Sequence, residues 1–152
     1  MSQKPIKRHE SIQPFSREHH HSLLLCWKIR QGLAKDVDLN RIKKFVDWSW
    51  ETRIKPHFLA EEKYMFPVLT ENDPLIIQAK KEHKRIESLF NEEENLLESF
   101  KAIEKELDEH IRFEERVLFN KIQEAANSEQ LKEIEKHHEE LNSDEWSDEF
   151  WL

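Results

Sequence analysis

Glycine is almost absent from this chain: Gly32 stands alone in 152 residues, with five prolines, so the turn chemistry that closes β-hairpins and builds a sheet is missing. Cysteine is equally scarce. Cys26 has no partner for an intramolecular disulfide, and the cysteines that dominate structural zinc sites are lacking. No apolar run approaches the ~20 residues of a membrane-spanning helix. No stretch near the N-terminus joins a basic segment to an apolar run and a cleavage site, so the expected location is the cytoplasm, with no membrane partner. Positive charge is in deficit, 24 Lys and Arg against 32 Asp and Glu, and a formal charge of -8 argues against a nucleic-acid partner.

What the chain has instead is Glu, Lys and Leu, the composition of helix throughout. Residues 1–11 are polar and basic, without periodicity, and read as an arm. Helical periodicity runs from Ile12 to about Leu33, where Gly32 marks an expected helix end. Asp36 and Asp38 are suitable caps for a second helix from about Leu39 to Val68, which Pro56 should bend. Asp73-Pro74 opens a third helix to about Asn91. A polar stretch from Glu92 to Asn95 precedes a fourth, from Leu96 to about Ala126. Asn127-Ser128 starts a short fifth helix to about Leu141, followed by an acidic, aromatic tail. Four long helices joined by short turns predict an all-α fold, an antiparallel up-down four-helix bundle over residues 12–126, with residues 127–152 as an extra helix and tail.

One ten-residue pattern occurs twice. His57-Phe58-Leu59-Ala60-Glu61-Glu62-Lys63-Tyr64-Met65-Phe66 recurs as His110-Ile111-Arg112-Phe113-Glu114-Glu115-Arg116-Val117-Leu118-Phe119. Residues four apart on a helix lie about 40° apart around its axis and ~6 Å along it. Each copy therefore presents an imidazole and a carboxylate, His57 with Glu61 and His110 with Glu114, to one side. On the third helix Ile76, Ala79, Ile86 and Phe90 surround His83, and Glu87 follows it by four. On the first, the apolar residues centre on His19, while a modest rotation of the helix would bring in His20 instead. His21, Glu62 and Glu115 read as surface residues. Tyr64 and Val117, seven residues after the motif histidines, are expected one turn beyond the carboxylates, and Cys26 two turns along from His19.

Several polar groups directed into an apolar core are costly without partners, and a bound cation removes that cost. The candidate ligands are His19 or His20, His57, Glu61, His83, Glu87, His110 and Glu114. Imidazoles mixed with carboxylates suit iron, with manganese or zinc as lesser choices, and carboxylates from two helices can bridge a pair of ions.

The chain resembles the hemerythrin-like, or HHE cation-binding, family over roughly residues 12–126. The likeness is carried by Arg17-Glu18-His19-His20, the two repeated motifs, and Glu82-His83 between them. The resemblance implies a four-helix bundle holding a non-haem di-iron centre with a bridging oxo or hydroxo group. It implies His19, His57, Glu61, His83, His110 and Glu114 as ligands, with Glu61 and Glu114 bridging, and dioxygen or nitric oxide as the small ligand bound or sensed. Two features depart from the oxygen carriers: Glu87 stands where they have a fifth histidine, and Glu114 serves in place of an Asp five residues after the last histidine. A di-iron oxidase or peroxidase, or a helical interaction module with a structural metal, are the alternative functions.

Overall fold

The computed structural model describes residues 7–137 and 145–152 and builds them from helices, turns and bends, with no strand among them. Residues 1–6 of the expected arm, His138, the expected helix end near Leu141, and Asp144 lie outside the described residues.

Local chemistry places the helix starts. α1 (Gln13–Ala34) has Pro14 in its first turn, where a missing N–H is no loss. Asp38 accepts from the Asn40 and Arg41 amides to open α2 (Leu39–Ser49). Asp73 accepts from the Leu75 amide ahead of Pro74 and α4 (Pro74–Phe90). The Glu92 carboxylate accepts from the Glu94 and Asn95 amides in the turn before α5 (Leu96–Phe113). Asn127 and Gln130 form a reciprocal capping box for α7 (Ser128–Lys136).

Residues 39–68 form one continuous rod with two wide turns in it. α2 passes through a π-turn, Trp50–Ile54, into α3 (Lys55–Ala60), then through a second, Glu61–Met65, into a short 3-10 turn. The first π-turn ends at Ile54, two residues before Pro56, and lets Lys55 donate to the Trp50 carbonyl, so the rod continues through the proline. A third π-turn, Glu114–Leu118, joins α5 to α6 (Phe119–Ala125). No helix among the described residues is long and apolar enough to cross a membrane.

The core has two apolar layers. One contains Leu25, Ile29, Phe45, Phe58, Ile86, Phe90, Leu107 and Ile111; the other contains Phe15, Met65, Phe66, Ile76, Ala79, Leu118 and Phe119. Along each long segment a buried polar residue falls between them: His19 on α1, His57 and Glu61 on residues 39–68, His83 on α4, and His110 and Glu114 on residues 96–125. α1 and α4 meet the Phe15 layer first, whereas the other two segments meet it last. Contacts of α5 with α1 and α4 place these segments side by side.

Gly32 is not a helix end. α1 continues to Ala34, and Asp36 takes the left-handed conformation, with φ of 55°. The glycine instead admits the C-terminal tail: a Cβ there would lie 2.9 Å from Phe150 Cε1 and 3.0 Å from Ile42 Cδ1. The tail is clamped by a two-point pair between Arg41 and Asp148 (2.8 and 2.6 Å) and by Lys35 donating to the Trp151 carbonyl at 2.8 Å. Lys28 Nζ stands 4.0 Å from the Trp151 ring. Residues 145–152 thus fold back over α1 and α2. Gly32→Ala sets overpacking of about 1–3 kcal/mol against a helix gain of about 1 kcal/mol. The expected result is a net loss of up to about 2 kcal/mol with a shifted tryptophan emission, read by thermal melts and fluorescence.

Candidate metal centre

Each of the four long segments brings one imidazole to a single buried layer, and the repeated motif adds one carboxylate to each of two of them. His19, His57, His83 and His110 are at most 4% exposed, and Glu61 and Glu114 are fully buried. The four Nε2 atoms converge on the two carboxylates. His57 Nε2 lies 3.2 Å from Glu61 Oε2 and His83 Nε2 3.3 Å from Glu61 Oε1. Glu114 Oε1 lies 3.0 Å from His19 Nε2 and 3.3 Å from His110 Nε2. The result is two groups able to hold a metal ion, His19, His57, Glu61 and Glu114 in one and Glu61, His83, His110 and Glu114 in the other, sharing both carboxylates.

Six site atoms on that inner side are buried without a hydrogen-bond partner: Nε2 of His57, His83 and His110, both Glu61 oxygens, and Glu114 Oε2. Orphaned polar atoms in this number are unfavourable in a dry interior, and a cation between them satisfies imidazole lone pairs and carboxylates together. The donor set therefore fits a metal.

Without a metal, protons take its place. Burial opposes charging His57, but Glu61 and Glu18 outweigh it and raise the imidazole to about 10. His110 is raised to about 9 by Glu114 and Glu82 against the same burial. His83 is raised well above its ordinary value and His19 is raised, again by carboxylates overcoming burial. Burial pushes Glu114 up, yet His110, His19 and His83 hold it well below the usual carboxylate range.

An outer set of carboxylates was not apparent from the sequence pattern. Glu18 holds His57 Nδ1, Glu62 holds His83 Nδ1 and Glu82 holds His110 Nδ1, each at 2.7 Å. Glu115 approaches His19 Nδ1 at 3.7 Å. The four run as a ring, each helix's glutamate reaching the histidine of the next segment and the last segment returning to the first. Glu62 and Glu115, expected at the surface, are part of it. Each of the four adjoins a site residue in sequence; a neighbour turned ~100° faces the adjacent helix instead of the centre, which is the signal that finds them. At hydrogen-bond distance, as for Glu18, Glu62 and Glu82, such partners fix the imidazole tautomer and raise ligand basicity. Glu82→Ala, at a residue 31% exposed, is expected to weaken metal binding about 10–100-fold with the fold retained, measured by competition titration.

Other expected residues fall elsewhere. His20 is exposed beside His21. Glu87 is exposed too, because Ile86, Leu89 and Phe90 occupy the inward face at that level of α4. Glu87 therefore does not stand in for the carriers' fifth histidine. Tyr64 stacks on His137 at 4.6 Å, and Val117 is 44% exposed. The π-turns that begin at Glu61 and Glu114 explain both: one extra residue per turn delays the inward register, so Met65 and Leu118, eight residues after the histidines, take the core positions. The Cys26 thiol is pushed to about 12, first by burial and then by Asp108 and Glu104, which makes it a packing group and not a redox thiol. Trp50 is buried, whereas Trp27 is 42% exposed and not part of the core.

Aromatic rings hold the imidazoles in place. Phe58 stacks on His83 at 3.9 Å and Phe119 on His19 at 5.3 Å. A cleft of about 330 Å³ between α4 and α5, lined by Glu82, Arg85, Glu106, Glu109 and Phe113 among others, reaches His110 from outside.

Fold and site together define an all-helical chain with buried His/carboxylate groups suited to metal. Residues 11–101 match the hemerythrin HHE cation binding domain, and the chain belongs to that family. The match ends before His110 and Glu114, whose place in the site rests on the repeated motif and the geometry above. No curated protein and no solved structure gives a match.

Proposed function

We propose that this is a cytoplasmic non-haem di-iron protein that binds or senses dioxygen, nitric oxide or iron. The observation that carries it is the sharing of both Glu61 and Glu114 by two adjoining donor groups. His19 and His57 would hold one iron and His83 and His110 the other, with the two carboxylates and an oxo or hydroxo group between them. Iron is favoured over zinc and manganese by imidazoles mixed with carboxylates and by the absence of thiolates. Two ferrous ions bring four positive charges, which two carboxylates and a hydroxide largely neutralise in a dry interior. The alternating passage of the four long segments through the two apolar layers supports an antiparallel up-down bundle over residues 12–126, with residues 127–152 as an addition.

A di-iron centre supplies redox chemistry and an affinity for dioxygen and nitric oxide. The chain's own residues bind, orient and shield. Glu18, Glu62 and Glu82 set the direction of three of the imidazoles, the Phe58 and Phe119 rings wall the centre from water, and the cleft beside His110 is the approach for a small ligand. Uptake of dioxygen or nitric oxide by the reduced protein should saturate at a fixed ratio to iron, followed spectrally under anaerobic titration. Continuous oxygen consumption with added ferrous iron would contradict this in favour of a di-iron oxidase.

A further inference from the structure

One of the four imidazoles is held differently. His57, His83 and His110 each have Nδ1 at 2.7 Å from a carboxylate, whereas His19 Nδ1 is buried without a hydrogen-bond partner and its glutamate stands 3.7 Å away. Glu115 is drawn elsewhere. Ser16 donates to its Oε2 at 2.9 Å, and Arg8 lies 3.5 Å from the same oxygen. Arg8 also donates to the Glu115 carbonyl at 2.7 Å and to Asn120 at 3.0 Å, and its guanidinium lies over Phe119, the ring stacked on His19. The residues preceding α1 therefore touch two of the groups that position His19.

We infer that Arg8 is a positioning residue that makes the two metal positions unequal, by holding Glu115 off the His19 imidazole. This rests on the di-iron reading above. A carboxylate on the far nitrogen of a ligating histidine is worth about 10–100-fold in metal affinity. His19 lacks that support, so the position it shares with His57 binds more weakly and exchanges its ion faster than the one formed by His83 and His110. Taking away the guanidinium leaves Glu115 to close on Nδ1 and brings the two affinities together.

The test is titration of the metal-free full chain with cobalt(II), followed by visible absorbance, in the wild type, Arg8→Ala, Glu115→Gln and the double variant. The wild type should fill in two separated steps. Arg8→Ala should tighten the weaker step about 10-fold or more and leave the stronger step unchanged. Glu115→Gln alone should change either step by less than about 3-fold, and in its presence Arg8→Ala should lose its effect. Should Arg8→Ala not fold, as judged by circular dichroism, Ser16→Ala releases the same carboxylate and should tighten the same step. Two equal steps in the wild type, or a weaker step unchanged or loosened by these substitutions, would overturn the inference while leaving the di-iron reading intact. A wild type that takes up no metal would overturn both.

Discussion

Replacing His57 and His110 together with alanine is expected to reduce metal content from about two ions per chain to near zero. One imidazole is lost from each donor group, and each shared carboxylate loses one of its two imidazole partners within 3.3 Å. Neither group then offers more than one histidine and two carboxylates, while Glu61 and Glu114 remain fully buried. Breaking a buried charged pair by removing one partner costs about 3–5 kcal/mol, against a total stability of about 5–15 kcal/mol for a domain. Metal analysis should therefore be paired with circular dichroism. His57→Gln, which keeps volume and polarity, is the milder form and should lose the ion on the His19 side first. Retention of stoichiometric iron by a folded double variant would remove the site from these residues.

The second large effect is an opposite response of the metal-free and metal-loaded proteins to pH. Imidazoles raised to about 10 at His57 and about 9 at His110 contribute stability that is fully present below the unfolded histidine value of ~6.5. That stability is lost as pH rises through the folded values, so the metal-free protein should become steadily less stable between about pH 6.5 and pH 10. Glu114, held low, works the other way: its contribution is present above ~4.5 and fades as pH falls below that. A metal ion takes the deprotonated imidazoles, so its apparent affinity should rise over the same alkaline range. An ion at 1,000 times its Kd adds about 4 kcal/mol, which for a chain of this length is about 8–16 °C in Tm. Melting curves with and without chelator should therefore diverge as pH increases from 6 to 9. Curves that run parallel would mean that metal displaces no protons from these imidazoles, and curves that coincide would mean that they hold no metal.

Much of this was legible because helical periodicity is a local property. The caps at Asp38, Asp73 and Asn127 act within one turn, and the helix starts they mark agree with the sequence to within a residue or two. The inward direction of His57, Glu61, His110 and Glu114 follows from spacing of four on uninterrupted helix. The errors begin where the helix stops being regular. A π-turn starts at each motif carboxylate, and ideal periodicity carried past it points at Tyr64 and Val117 when Met65 and Leu118 have taken their places. Gly32 shows a different limit. Its role comes from contact with a residue more than 90 positions away, Phe150, which no local pattern encodes. Glu87 was misplaced for a third reason: a shift of 40° from His83 is enough, at the edge of an inward face, for larger apolar neighbours to claim the core.

The most direct test of the central claim is metal content measured together with the visible absorption spectrum of the anaerobically reduced protein, before and after air is admitted. A di-iron centre on these residues gives about two irons per chain and new bands in the near-ultraviolet to visible range on exposure to air. Zinc or no metal, with no spectral change after reconstitution with iron, would contradict it.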